Sequence, residues 1–235
     1  MPSPARECRA RVAAVRALTP EILEADLRME EPETLAFEAG QWVSVPFGPK
    51  IVRAYSIASA PQSSRVLTLC ADVAPGGIGS RWFRALAAGD EVRFKGPLGG
   101  FVVPRGESRR LLFAAEEIGI VPVRSILADL EAAGAGWTAA LVYGARDPGW
   151  LAYGHEFRAL ARRRPAFTYH PVVRAAGADW TEARGEIAET VERLVTSVER
   201  LVAYVAGGDA TIKRVREVLV ARGLDRKSVK WEKFW

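Results

Sequence analysis

Between residues 8 and 95 the chain alternates short apolar runs with polar turns, the runs covering 8–15, 22–29, 42–46, 51–57, 66–72 and 91–95. Runs this short and this closely spaced predict an antiparallel barrel or sandwich. Pro104-Arg105-Gly106-Glu107-Ser108 is polar and rich in turn formers, and it marks a joint. Beyond it the rhythm changes to strand–helix alternation, the mark of a parallel α/β sheet. Residues 111–115, 139–143, 167–173 and 201–205 read as strands. Pro122 suits the first turn of a helix whose apolar face is Val123, Ile126, Leu127 and Leu130, ending before Gly134. Further helices are expected over 155–163 and 187–195, and again after Gly207-Gly208-Asp209. In that last helix Ile212, Val215, Val218 and Leu219 turn inward and Gly223 is the stop, before a closing edge strand at 229–234.

Composition narrows the possibilities. A chain of 235 residues holds one large or two ordinary domains, with ample apolar content for cores. No stretch approaches the roughly 20 consecutive apolar residues that cross a membrane. The polar, basic start MPSPARECRA does not read as a signal peptide, so a cytoplasmic protein is expected. Cys8 and Cys70 are too few to ligate an iron–sulfur cluster, so any one-electron carrier must be another polypeptide. His155 and His170 lack the neighbours of a metal site. The net charge of +5 is carried largely by arginine. Such charge is ordinarily solvated surface; the functional alternative is docking of an acidic carrier protein or a phosphorylated ligand, ahead of nucleic acid, for which no recognition motif is present.

Two segments carry candidate chemistry. In Arg53-Ala54-Tyr55-Ser56, side chains on a strand alternate faces, so Arg53 and Tyr55 share one side and Ser56 takes the other or turns into the bend. A guanidinium fork pairs with phosphate oxygens and a phenol ring stacks on a flat ring system. Further on, Pro75-Gly76-Gly77-Ile78-Gly79-Ser80 leads into a short helix with Trp82, Phe83 and Leu86 on its apolar face. Its glycines allow close approach of a ligand, Ser80 is placed as N-cap, and the free N–H groups of the helix start favour an anion.

Together these motifs resemble the flavin domain of the ferredoxin–NADP reductase superfamily. The resemblance continues through Gly89-Asp90-Glu91-Val92 and Gly96-Pro97-Leu98-Gly99-Gly100-Phe101 and covers nearly the whole chain. It implies a flavin-binding antiparallel Greek-key β-barrel over 6–105, followed by a doubly wound parallel α/β domain over 107–235 that takes a pyridine nucleotide. It implies that Arg53 holds the flavin pyrophosphate, Tyr55 stacks on the isoalloxazine and Ser56 lies near the flavin N5. Ala54 accompanies them, and Gly76, Gly77, Gly79 and Ser80 cradle the phosphates. FAD is expected, with FMN the alternative, and NAD(P)H is the expected electron donor. The partner would be a ferredoxin, a flavodoxin or an oxygenase component. In the second domain the landmarks are the loop containing Gly119, the turn Tyr143-Gly144-Ala145-Arg146, and Gly207-Gly208. Arg146 is assigned to the adenosine end, and Trp235 to covering the flavin until the nicotinamide arrives.

The first nucleotide loop departs from the family pattern. Members carry Gly-Gly-Thr-Gly there, whereas this chain has Glu116-Glu117-Ile118-Gly119. Carboxylates at this position repel an incoming pyrophosphate, unless they turn outward or pair with Arg146 or Arg124. Ala206 stands where many members have a cysteine. The alternative reading is therefore a flavin-holding electron-transfer or redox-sensing module that does not use NAD(P)H.

Overall fold

The structure is a computed structural model that describes residues 4–134 and 136–234. Its internal contacts divide the chain into two units: residues 1–104 with 121–134, and residues 105–120 with 135–235.

The first unit is built on β1 (Arg6–Ala17), β2 (Ile22–Glu31), β3 (Trp42–Pro46), β4 (Val52–Ser56), β5 (Val66–Asp72) and β6 (Glu91–Leu98). These form one six-stranded sheet in the order β4-β3-β6-β1-β2-β5, with antiparallel neighbours throughout. A bridge between Ile57 and Leu69 joins the continuation of β4 to β5 and closes the barrel. Period-two alternation supplies the interior: Cys8, Ala10 and Val12 from β1 and Val92 and Phe94 from β6 are buried, while their neighbours face out. Leu27, Val43, Ile57, Leu67 and Leu69 complete the core, and Phe83 of helix α1 (Ile78–Ala85) packs against it. Each such side chain contributes about 1.5–3 kcal/mol by leaving water.

The second unit holds β7 (Arg110–Glu116), β8 (Ala139–Ala145), β9 (Phe167–Val173), β10 (Ala183–Arg184), β11 (Leu201–Gly207) and β12 (Val229–Lys233). All pairings are parallel, in the order β10-β9-β8-β7-β11-β12. Strands β7 and β11 are apolar almost throughout, as a sheet covered on both faces requires. On one face Leu112, Ala114, Ala203 and Val205 pack with Ile187 and Val191 of α4 (Ile187–Leu194) and Ile212, Val215 and Leu219 of α5 (Asp209–Ala221). Helix α3 (Gly154–Arg163) sets Phe157 against Tyr143 and Tyr169. The short β10 has no counterpart in the hydrophobic pattern, because two residues are too few to show a period. Helix α2 (Ile120–Ala133) follows the first loop of this sheet, and its residues from Val121 onward belong to the barrel unit.

Candidate functional site

In the barrel unit, β4 is paired with β3 along one edge, and Arg53 and Tyr55 lie on a common face above Gly79. A Cβ on Gly79 would come within 2.7 Å of the Tyr55 Oη and 3.1 Å of the Arg53 Cγ, so only glycine permits this contact. The Tyr55 ring is tilted against Trp82 and Phe83 of α1, with centroids 5.6 Å away in each case. Burial pushes its phenol up to about 12, against the opposing pull of Arg53, so it stays protonated. Only 7% of Tyr55 is exposed, which limits its contact with a bound ring to that margin. Ser56 is buried, and Ala54 is exposed. Arg53 is also exposed, its Nη1 donating to its neighbour's Val52 carbonyl at 2.8 Å.

The glycine turn at the start of α1 is open. Gly76 and Gly77 are exposed, and a Cβ on either would meet nothing closer than 4.0 Å. Gly76 has φ +65°, a conformation that favours glycine. The N-cap is Gly77 rather than Ser80, because the extended Gly77 backbone lets Ile78 and Gly79 form the first turn. Ser80 lies inside the helix, and its hydroxyl donates to the Asp72 carbonyl at 3.3 Å. With no cap side chain to accept from them, the first N–H groups remain available to an anion. An exposed guanidinium, an open glycine turn and an uncapped helix start fit a pyrophosphate.

The strand behind this site is held from α2. Ser125, fully buried, donates to the Ser59 carbonyl at 2.7 Å, and Arg124 donates to the Ala58 carbonyl at 2.9 Å. These carbonyls stand just beyond Ser56. Ser125 did not stand out in the sequence, and Arg124 was offered only as a partner for the carboxylates, whereas it holds the Ala58 carbonyl.

In the α/β unit the chain steps from β7 out to β10, then returns to place β11 on the other side of β7. The switch point therefore lies between β7 and β11, and ligands of open α/β sheets bind outside the strand ends there. Gly119 sits hard on β11, where a Cβ would be 2.4 Å from the Ala206 carbonyl oxygen. Glu116 ends β7 and is buried, with its Cβ against Gly207. Its Oε2 accepts from the Gly208 amide at 3.1 Å, and its Oε1 accepts from Arg174. Arg174 also reaches Glu186, at 3.3 Å. Glu117 adopts φ +48° and accepts the Arg146 amide on Oε1 at 2.8 Å. Burial pushes its carboxyl above the ordinary value, opposed by the Arg146 amide and the Arg174 and Arg146 guanidinium groups, with Glu116 adding to the rise. The Arg146 guanidinium lies over the Trp150 ring, 3.9 Å from its centroid.

The structure thus brings Gly119, Arg146 and Gly207 to one sheet edge. Of the two partners the sequence offered the carboxylates, Arg146 meets Glu117 through its amide and Arg124 is engaged in the barrel unit, while the Gly208 amide and Arg174, which hold Glu116, were not singled out. The available signal was positional, since Arg146 and Arg174 each stand one residue beyond the end of adjacent strands β8 and β9. Trp235 lies outside the described residues.

Comparison with known proteins defines the class. Residues 9–103 match the oxidoreductase FAD-binding domain and residues 118–217 the oxidoreductase NAD-binding domain. Ferredoxin–NADP reductase B of Sorangium cellulosum is 32% identical over 96% of each chain. The phenol hydroxylase P5 protein of Acinetobacter pittii is 31% identical over 79% of this chain, which spans only 53% of that protein's length. Among solved structures, the Amycolatopsis cytochrome P450 reductase GcoB superposes with a TM-score of 0.89 at 27% identity, covering 98% of this chain and 70% of that one. The protein is an NAD(P)H-dependent flavin oxidoreductase, with FAD as its cofactor. The chain belongs to the ferredoxin–NADP reductase superfamily.

Proposed function

We propose that this reductase draws electrons from NAD(P)H and delivers them to a separate one-electron carrier protein of acidic surface. The observation that carries the site assignment is the shared face of Arg53 and Tyr55 above Gly79, beside the open start of α1. Residues 6–105 form the flavin-binding domain and 107–235 the nucleotide-binding domain. Arg53 and the first-turn amides after Gly76 and Gly77 hold the FAD pyrophosphate. Gly79 admits Tyr55 to this face, Ser80 steadies the helix through Asp72, and Tyr55 and Ser56 border the ring. Ala54 lies alongside. Bound FAD supplies the conversion between two-electron and one-electron chemistry. Gly119, Arg146 and Gly207 frame the nucleotide.

Relatives named as reductase components of oxygenase systems support the carrier, as in the naphthalene dioxygenase system of Pseudomonas putida and the propane monooxygenase of Rhodococcus jostii. The net charge of +5 favours a carrier of acidic surface. No helix among the described residues is long and apolar enough to cross a membrane. We place the protein in the cytoplasm, where reducing conditions suit its buried free thiols, Cys8 and Cys70.

Purified protein is expected to be yellow and to release FAD by mass. Anaerobic mixing with NADH or NADPH should bleach the flavin band. Absence of bleaching with both would reverse the reductase reading in favour of a flavin module that does not use NAD(P)H.

A further inference from the structure

We propose that the Glu116–Glu117 turn is a built-in anion that fills the nucleotide site of the free protein, and that NAD(P)H enters by displacing Glu117 while Glu116 stays in place. This rests on the reading of the β7–β11 edge as the nucleotide site. Two backbone donors at that edge, the amides of Arg146 and Gly208, already hold carboxylate oxygens at 2.8 and 3.1 Å. Gly208 is the N-cap of α5, so Glu116 rests where a helix start would receive a phosphate. The guanidinium on this edge that reaches toward it, Arg174, is divided between Glu116 and Glu186. The chain therefore supplies its own anion to the donors that a pyrophosphate would use.

The two carboxylates differ in how firmly they are held. Glu116 is buried, with one oxygen on Gly208 and the other on Arg174, and its Cβ is packed on Gly207. Releasing it would strand a buried amide. Glu117 is half-buried and holds one amide through one oxygen, from a backbone that non-glycine residues rarely adopt. Arg146 is exposed, so its amide passes readily from Glu117 to an incoming oxygen. Glu117 is the half that yields.

The test uses the oxidised, flavin-loaded protein titrated calorimetrically with NAD+ and with NADP+, comparing wild type, Glu117→Gln and Glu117→Gly. Glycine suits φ +48° and removes both the charge and the competing acceptor, so its affinity for the preferred nucleotide should rise on the order of tenfold or more. Gln keeps a neutral competitor and should fall between the two. Flavin content, read from absorbance, should be the same in all three. Affinity within about twofold across the series, or weaker binding in Glu117→Gly, would overturn the displacement and leave the reductase reading standing. Failure of every protein to bind either nucleotide would overturn both.

Discussion

Two helix starts in this molecule begin at a glycine with no capping side chain of its own, and they differ in what meets their amides. At α1 the turn before the helix is Gly76-Gly77, exposed and uncapped, with an exposed Arg53 on the neighbouring strand. At α5 the N-cap is again a glycine without a capping side chain of its own, yet its amide is taken by Glu116 from β7. The backbone offers the same donors in both places. A carboxylate on the adjoining strand end decides whether the site is open to a ligand or satisfied from within. Helix-start geometry alone therefore does not identify a ready anion site; the neighbouring strand ends must be read with it.

The largest effect that sharpens this contrast is expected at Arg53. Arg53→Ala removes the exposed cation beside the open turn and should weaken flavin binding on the order of 10- to 100-fold, the range of a charge-assisted hydrogen bond of about 1.5–3 kcal/mol. Fluorescence titration of apo-protein with FAD measures it. Nucleotide affinity should not follow. Unchanged FAD affinity would place the pyrophosphate elsewhere.

The next effect belongs to the filled site. Glu116→Ala leaves the Gly208 amide buried without its acceptor and strips one partner from Arg174, at a cost of about 1–3 kcal/mol. The lower half of that range is expected, since the Arg174 side chain is 44% exposed and Glu186 remains beside it. Thermal unfolding should begin a few degrees lower, at roughly 2–4 °C per kcal/mol for a chain of this size. A melting curve superposable on wild type would mean that water replaces the carboxylate without loss, and that the site is not satisfied from within.

Much of this was legible in the sequence, and for identifiable reasons. Strands 42–46, 66–72 and 167–173 have the bounds that their apolar runs suggested, because alternation or continuous burial marks them directly. The pairing of Arg53 with Tyr55 follows from strand alternation and is seen above Gly79. Local pattern could not say where a helix begins when two glycines precede it, so the cap was expected at Ser80, later than the Gly77 that provides it. Nor could it say where Glu116 would turn. Its partners Arg174 and Gly208 lie far along the chain, and only the parallel pairing of β8, β9 and β11 around β7 brings them together. The clasp of α2 on the segment just beyond β4 is hidden for the same reason.

That clasp provides an intermediate effect. Ser125→Ala removes the donor to the Ser59 carbonyl in a fully buried setting, and should cost about 1–2 kcal/mol. Because Ser59 lies three residues beyond Ser56, the flavin absorbance band should shift as well, whereas a purely structural contact would lower stability and leave the spectrum of loaded protein alone. Ser125→Thr, which keeps the hydroxyl, should restore the band.

The smallest effect is the most diagnostic of the acidic turn. Glu117 holds φ +48°, where a side chain with a Cβ is disfavoured by about 1–2 kcal/mol relative to glycine. Glu117→Gly relieves that strain but gives back about 0.5–1 kcal/mol in unfolded-chain entropy, and it frees an Arg146 amide that solvent can reach. Its net effect on stability should be within about 1 kcal/mol of wild type, a shift of no more than a few degrees. Glu117→Ala loses the same hydrogen bond yet keeps the strained backbone, so it should melt below the glycine variant. The order of the two variants therefore reports the backbone of the turn independently of any ligand. If alanine proves as stable as glycine, the turn does not hold its left-handed conformation in solution, and the reason for expecting Glu117 to yield before Glu116 is lost.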